Sequence, residues 1–95
     1  MLRAMKIPDR FRRAQGEPLG EHACPACRYL TLSEPPPGTY EICAICGWED
    51  DPVQCDDPDY RGGANHPSLN EWRSHFEAEV LPDLVRRGFN LPPRA

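Results

Sequence analysis

A chain of 95 residues with 39% apolar side chains, 12 prolines and 7 glycines holds one small domain whose hydrophobic core alone is marginal, so a metal or disulfides are expected to supplement it. A net charge of −4 excludes a surface built throughout to grip phosphate backbones. The chain has no apolar run of membrane-spanning length, and its charged N-terminus (Arg3, Lys6, Asp9, Arg10, Arg12, Arg13) lacks the apolar region of a secretory signal, which predicts a cytoplasmic protein with no membrane span.

Residues 1–20 are expected to form a basic, flexible tail. Pro8 interrupts any helix there, and Gly16, Pro18 and Gly20 read as a linker. The folded domain is expected over residues 21–90. It opens on Cys24-Pro25-Ala26-Cys27, followed by Tyr29-Leu30-Thr31-Leu32, a run of strand formers. Ser33 to Thr39 contains three prolines and a glycine and turns the chain. Tyr40-Glu41-Ile42 is a second strand candidate leading into Cys43-Ala44-Ile45-Cys46-Gly47. The spacer between the cysteine pairs therefore reads as a β-hairpin that returns the second pair to the first.

The acidic stretch Glu49, Asp50, Asp51, Asp56, Asp57 and Asp59 follows Trp48 with no basic residue among its members. Pro52 and Pro58 argue against a helix there. Ser68-Leu69-Asn70-Glu71 is a capping box that opens a helix. Leu69, Trp72, Phe76 and Val80 recur on one face of it, and Arg73 and Glu77 are spaced to pair on the other. Pro82 ends or kinks this helix and can start a short second one, with Gly88 as its cap and Phe89 folding back. Residues 91–95 read as an extended tail.

Four cysteines in two pairs, each pair two residues apart and separated by fifteen, match the C-x2-C-x15-C-x2-C pattern of a zinc ribbon. Two cysteines at this spacing can place both sulfurs on one ion, and Zn²⁺ prefers four ligands in a tetrahedron, with thiolates among its best. Gly47 supplies the positive-φ position that completes the second turn. In a reducing compartment paired cysteines favour metal over disulfides, and an odd count of five precludes complete internal pairing. Cys24, Cys27, Cys43 and Cys46 are therefore the expected ligands of one structural zinc. The same four thiolates would also hold iron in a rubredoxin-like site. A redox role has no βαβ pattern to support it, and four thiolates leave no open catalytic position.

Cys55 reads as a free, partly buried thiol whose pKa neighbouring carboxylates raise. His22, His66 and His75 read as surface histidines. The run from Asp57 to Gly62 begins like a calcium loop, but Arg61 and Ser68 stand where acids are required, so that reading is rejected.

The stretch Cys24-Pro25-Ala26-Cys27, Tyr29 to Leu32, Tyr40 to Cys43 and Cys46-Gly47-Trp48-Glu49-Asp50-Asp51 resembles the cysteine-rich CPCC proteins. Val53-Gln54, Asp56 to Tyr60, Gly62-Gly63-Ala64-Asn65 and Ser68-Leu69-Asn70-Glu71 extend the similarity, which covers about residues 23–77. The resemblance implies a small bacterial metal-binding protein and no assigned activity. Ala26, Arg28 and Cys55 depart from the family pattern, and Arg28 stands where a glycine is usual, which places strain on the first cysteine turn.

The expected fold is a small metal-stabilised α+β domain: a rubredoxin-like zinc-ribbon hairpin with two Cys-x-x-Cys knuckles packed on a C-terminal helix. The expected function is a non-enzymatic protein-interaction module, immunity- or antitoxin-like in one version. Its acidic loop (Glu49, Asp50, Asp51, Asp56, Asp57, Asp59) would meet a basic partner. The alternatives are a nucleic-acid-binding ribbon, opposed by that loop, and an iron electron carrier.

Overall fold

A computed structural model describes residues 17–95. Residues 1–16, the larger part of the expected basic tail, lie outside the described residues. The elements run β1 (His22–Ala23), β2 (Leu30–Leu32), α1 (Pro52–Asp56), α2 (Leu69–His75), a π-helical turn (Phe76–Val80) and α3 (Leu81–Arg86). No helix among the described residues is long and apolar enough to cross a membrane.

The strands pair differently from the expectation. β2 runs antiparallel to β1, which precedes the first cysteine pair, with His22 opposite Leu32 and Ala23 opposite Leu30. Tyr40-Glu41-Ile42 does not pair with it. Ile42 instead forms a single antiparallel bridge with Glu49, beyond the second cysteine pair. Each cysteine pair thus sits at the tip of its own hairpin. The reason lies in the backbone hydrogen bonds around β2. Tyr29 O accepts from Cys24 N, Leu30 O accepts from Leu19 N and Gly20 N, and Leu30 N donates to Pro93 O. With these groups taken by the preceding segment and the C-terminal tail, the spacer is tied by a side chain: the Glu41 carboxylate accepts from Ser33 N and Glu34 N.

The tail after Leu91 is a third strand of sorts. Arg94 bridges Tyr29, Ala95 N donates to Arg28 O at 2.8 Å, and Pro92 is buried. Extended Pro-rich chain suits an edge position, where proline loses no ladder bond.

α1 corrects a second expectation. Pro52 does not prevent this helix; it occupies the first turn, where its missing N–H would be unpaired anyway. Asp51 is its N-cap and accepts from Val53 N. α2 opens on the expected capping box, with Ser68 accepting from Glu71 N and Glu71 accepting from Ser68 N. Leu69 and Phe76 are buried on the core face, with Trp72 and Val80 packed partly against it. Pro82 stands in the first turn of α3, the short second helix that the sequence offered for it. The π-helical turn, in which Leu81 N reaches back to Phe76 O, widens the ladder just before it. The helix ends as expected at Gly88 (φ 81°): Gly88 N donates to Val85 O and Phe89 N to Leu84 O, a Schellman cap. Arg73 and Glu77 do not pair with each other. Arg73 turns to the first cysteine turn, and Glu77 pairs with Arg94.

Glu71 carries a pH dependence. Arg61 chiefly, and the Ser68 N–H next, hold its carboxyl down at about 2, against an ordinary 4.5. A carboxyl lowered in the folded state stabilises it above the unfolded value and ceases to as pH falls through the folded one. Protection of the amides in the first turn of α2, relative to their intrinsic exchange rates, is therefore expected to fall between pH 4.5 and about 2, and Glu71→Gln should flatten that dependence.

Candidate metal centre

The two cysteine turns repeat one backbone pattern. In the first, Arg28 N donates to Cys24 O at 2.8 Å and Cys24 N to Tyr29 O at 3.0 Å; in the second, Gly47 N donates to Cys43 O and Cys43 N to Trp48 O, both at 2.9 Å. The residue after each second cysteine has positive φ: 67° at Arg28 and 83° at Gly47. The first turn therefore holds an arginine in a backbone region that costs a non-glycine residue about 1 kcal/mol. Within each turn, backbone donors point at sulfur. Ala26 N lies 3.3 Å from Cys24 Sγ, and Ile45 N and Cys46 N lie 3.4 Å from Cys43 Sγ.

The four sulfurs expected as ligands converge. Cys24 Sγ is 3.7 Å from Cys46 Sγ, Cys27 Sγ is 3.7 Å from Cys43 Sγ, and all four lie within 4.8 Å of one another. Metal–sulfur bonds of about 2.3 Å in a tetrahedron place sulfurs about 3.8 Å apart. Among the described residues, which hold all five cysteines, none forms a disulfide. The cluster is buried: none of the four is more than 7% exposed. Hydrogen bonding to Cys24 pushes the thiols of Cys27 and Cys46 up and pulls that of Cys43 down, while bonding to Cys27 pulls Cys24 down. Thiols this close share protons among themselves, and a divalent cation replaces those protons with one charge at their centre. The four cysteines are thus positioned to bind a metal ion.

The matched residues settle the family. The family model described as "Cysteine-rich CPCC" matches residues 22–79. The chain belongs to this family. No curated protein matches it. The matched span of this CPCC protein takes in both cysteine turns, α1, α2 and most of the π-helical turn. It leaves the C-terminal strand outside.

Several residues around the sulfurs were not anticipated in the sequence. Thr31 Oγ1 lies 3.2 Å from Cys43 Sγ. Trp72 Nε1 donates to Cys46 O at 3.2 Å and ties α2 to the second turn. Arg73 Nε donates to Pro25 O at 3.1 Å and Arg94 Nε to Cys27 O at 2.9 Å. These two guanidiniums bring positive charge to the first turn, whereas the side chain of Arg28 is exposed. Arg94 also lies over the Tyr29 ring, 4.5 Å from its centroid, and pairs with Glu77. Arg94→Ala is expected to destabilise the metal-loaded protein by about 2 kcal/mol through the lost charged hydrogen bond and cation–π contact. Urea unfolding checks this, and release of metal to a chelator should quicken in the same variant.

The acidic stretch divides in two. Asp50 is fully buried and accepts from Thr39 N and Thr39 Oγ1; Asp51 is 5% exposed and accepts from Val53 N and Ala64 N. Gly63 makes that last contact feasible, since a Cβ there would lie 2.4 Å from Asp51 Oδ2. Glu49 is half-buried, with its backbone held at both N–H and C=O by Asn65. Asp56, Asp57 and Asp59 remain exposed. Asp50 and Asp51 are therefore internal struts and not part of an outward acidic surface.

None of the three histidines joins the sulfur cluster; His75 stacks at 5.1 Å against Trp72. Cys55 is a half-buried thiol, as expected. Burial, then the charge of Asp50 at 3.7 Å, push it up to about 11 from an ordinary 9.0. Its alkylation by iodoacetamide should be slow at neutral pH and rise steeply towards pH 11. The folded state holds this proton more tightly, so stability is full below pH 9 and declines as pH rises through 11. Cys55→Ser should remove that part of the decline.

Proposed function

We propose that this CPCC protein is a zinc-stabilised interaction module of zinc-ribbon type, with Cys24, Cys27, Cys43 and Cys46 as the ligands of one structural ion and no catalysis of its own. The observation that carries this reading is the buried set of four sulfurs at tetrahedral spacing. Four thiolates fill the coordination sphere, so no position remains for water or substrate. Bound there, zinc would lock the two cysteine hairpins into one unit. The same donor set accepts iron, and metal analysis separates the two ions.

With the metal enclosed, function falls to the surface. Val53, Asp56, Asp57, Asp59 and Tyr60 form an exposed acidic and apolar face on and just after α1, where Asp57 N bonds to Val53 O and Tyr60 N to Asp57 O. An exposed tyrosine rimmed by carboxylates suits a basic protein surface. The experiment is affinity capture from the source cell with the wild-type protein and with a Asp56→Asn, Asp57→Asn, Asp59→Asn variant whose fold is verified by circular dichroism. The reading expects a stoichiometric partner that the variant loses. Equal capture by both proteins, or none by either, contradicts it.

A further inference from the structure

Held as ligands of one ion, the four sulfurs are thiolates, the form of cysteine that oxidants attack. They are not equally guarded. Burial keeps reagents away from a thiolate, and N–H or O–H groups that take up its negative charge lower its nucleophilicity. Cys43 Sγ has three such donors, Thr31 Oγ1 at 3.2 Å and Ile45 N and Cys46 N at 3.4 Å. Cys24 Sγ has one, Ala26 N at 3.3 Å. No backbone or hydroxyl donor reaches Cys27 Sγ or Cys46 Sγ among the described residues. Burial separates these two: Cys27 is 0% exposed, whereas Cys46 at 7% is the most exposed of the four. Its turn is open as well, since Ala44 and Gly47 are exposed and a Cβ at Gly47 would meet no atom within 4 Å. Cys46 is thus the least guarded sulfur on both counts.

Cys46 also has a partner in reach. Its Sγ touches Cys24 Sγ at 3.7 Å, across the gap between the two hairpins. A disulfide holds its sulfurs at about 2.05 Å, so the pair has to close by less than about 2 Å. The other contact at 3.7 Å joins Cys27 to Cys43, the most deeply buried sulfur to the most heavily hydrogen-bonded one.

We propose that Cys46 is an oxidation site for hydrogen peroxide and that Cys24 resolves it, so that a disulfide between Cys24 and Cys46 dismantles the donor set. The Cys46 thiolate attacks one peroxide oxygen: an S–O bond forms, the O–O bond breaks and hydroxide leaves. The Cys24 thiolate then attacks the sulfur of the resulting sulfenic acid: the S–S bond forms, the S–O bond breaks and a second hydroxide leaves. Each hydroxide takes a proton from solvent. The two sulfurs have then given up two electrons, and the peroxide has become two waters. Only Cys27 and Cys43 remain as thiolates, too few for a tetrahedral site. The inference rests on the reading of these four sulfurs as ligands of one ion, and it makes retention of that ion depend on oxidant.

The test uses the full-length protein loaded with zinc, with one ion per chain verified before oxidant is added. Failure to load sinks the functional reading and this inference together; a loaded protein that gives the wrong product sinks this inference alone. Hydrogen peroxide is added in slight excess, with or without dimedone to trap sulfenic acid. Remaining thiols are alkylated and the peptides mapped by tandem mass spectrometry, while a chromogenic chelator follows released zinc. Without the trap, the disulfide between Cys24 and Cys46 is expected to exceed any other pair by at least about fivefold, with one zinc released per disulfide. With dimedone, the label should favour Cys46 over each other cysteine by at least about fivefold. Cys55→Ser, which lies outside the cluster, should react within about twofold of the wild-type rate. A main disulfide within either cysteine turn, between Cys27 and Cys43 or to Cys55 would overturn the proposal. So would a label chiefly on another cysteine, zinc retained after the disulfide forms, or no oxidation at all.

Discussion

Replacing Cys43 with serine is expected to leave the chain without metal and without a cooperative fold. Cys43 is the most heavily supported of the four sulfurs: Thr31 Oγ1, Ile45 N, Cys46 N and Cys27 Sγ all lie within hydrogen-bonding reach. A hydroxyl cannot reproduce the thiolate's reach or charge. Structural zinc contributes on the order of 10 kcal/mol or more to small domains, and domains of this size have a total stability of about 5–15 kcal/mol. Losing most of the metal's share therefore exceeds what the remaining core holds. That core is small: Leu32, Trp48, Leu69 and Phe76 are its largest fully buried apolar side chains. Circular dichroism should show no sharp thermal transition, and metal content should fall below one ion per chain. Cys55→Ser is the control, since Cys55 lies outside the cluster, and its transition should remain cooperative. A Cys43→Ser protein that melts like the wild type would contradict the structural role of the site.

Gln54→Leu is expected to cost about 3 kcal/mol, although leucine is close in size and more apolar. Gln54 is fully buried, and nearly every hydrogen bond of its amide goes to the loop between α1 and α2. Its Nε2 donates to the carbonyls of Tyr60, Asn65 and Pro67 at 3.0–3.1 Å, and its Oε1 accepts from Asn65 N and Asn65 Nδ2 at 3.0 Å. Leucine leaves several of these groups buried and unpaired, at about 1–3 kcal/mol each, of which water recovers part. Asn65 in turn holds Glu49 on the strand beyond the second cysteine pair, so the damage should spread towards the metal centre. Urea denaturation gives the magnitude. Hydrogen exchange gives the pattern: the Asn65 and Ala64 amides should lose protection first. A change under about 1 kcal/mol would show that this amide is not the strut the geometry describes.

The two residues also show what could be read before folding and what could not. The four cysteines were legible because their spacing is itself the chemistry: a two-residue interval is what one ion requires. The capping box at Ser68 and Glu71, the apolar stripe of α2 and the Gly88 cap were legible because each is a local pattern with a local cause. Strand pairing was not. Tyr29 to Leu32 and Tyr40 to Ile42 are adjacent strand formers across a turn, and nothing local says that the C-terminal Pro93–Ala95 and the segment before Cys24 take the hydrogen bonds first. The direction of the acids was equally hidden. A charge run gives no sign of which members face inward, although Asp51 before Pro52 carried the N-cap signal that would have found α1. Gln54 had no role assigned from the sequence beyond the family resemblance, and Arg73 read as half of a helical ion pair. Both acquire their roles chiefly from partners distant in sequence, Asn65 and Pro67 for Gln54 and Pro25 for Arg73.

The account rests on one ion at one place, and metal analysis of protein purified without added metal tests that most directly. It predicts one zinc per chain, a colourless solution, and unfolding when a strong chelator removes the ion. A protein that keeps its fold with no bound metal, or that holds fewer than one ion per chain after reconstitution with zinc, would contradict it.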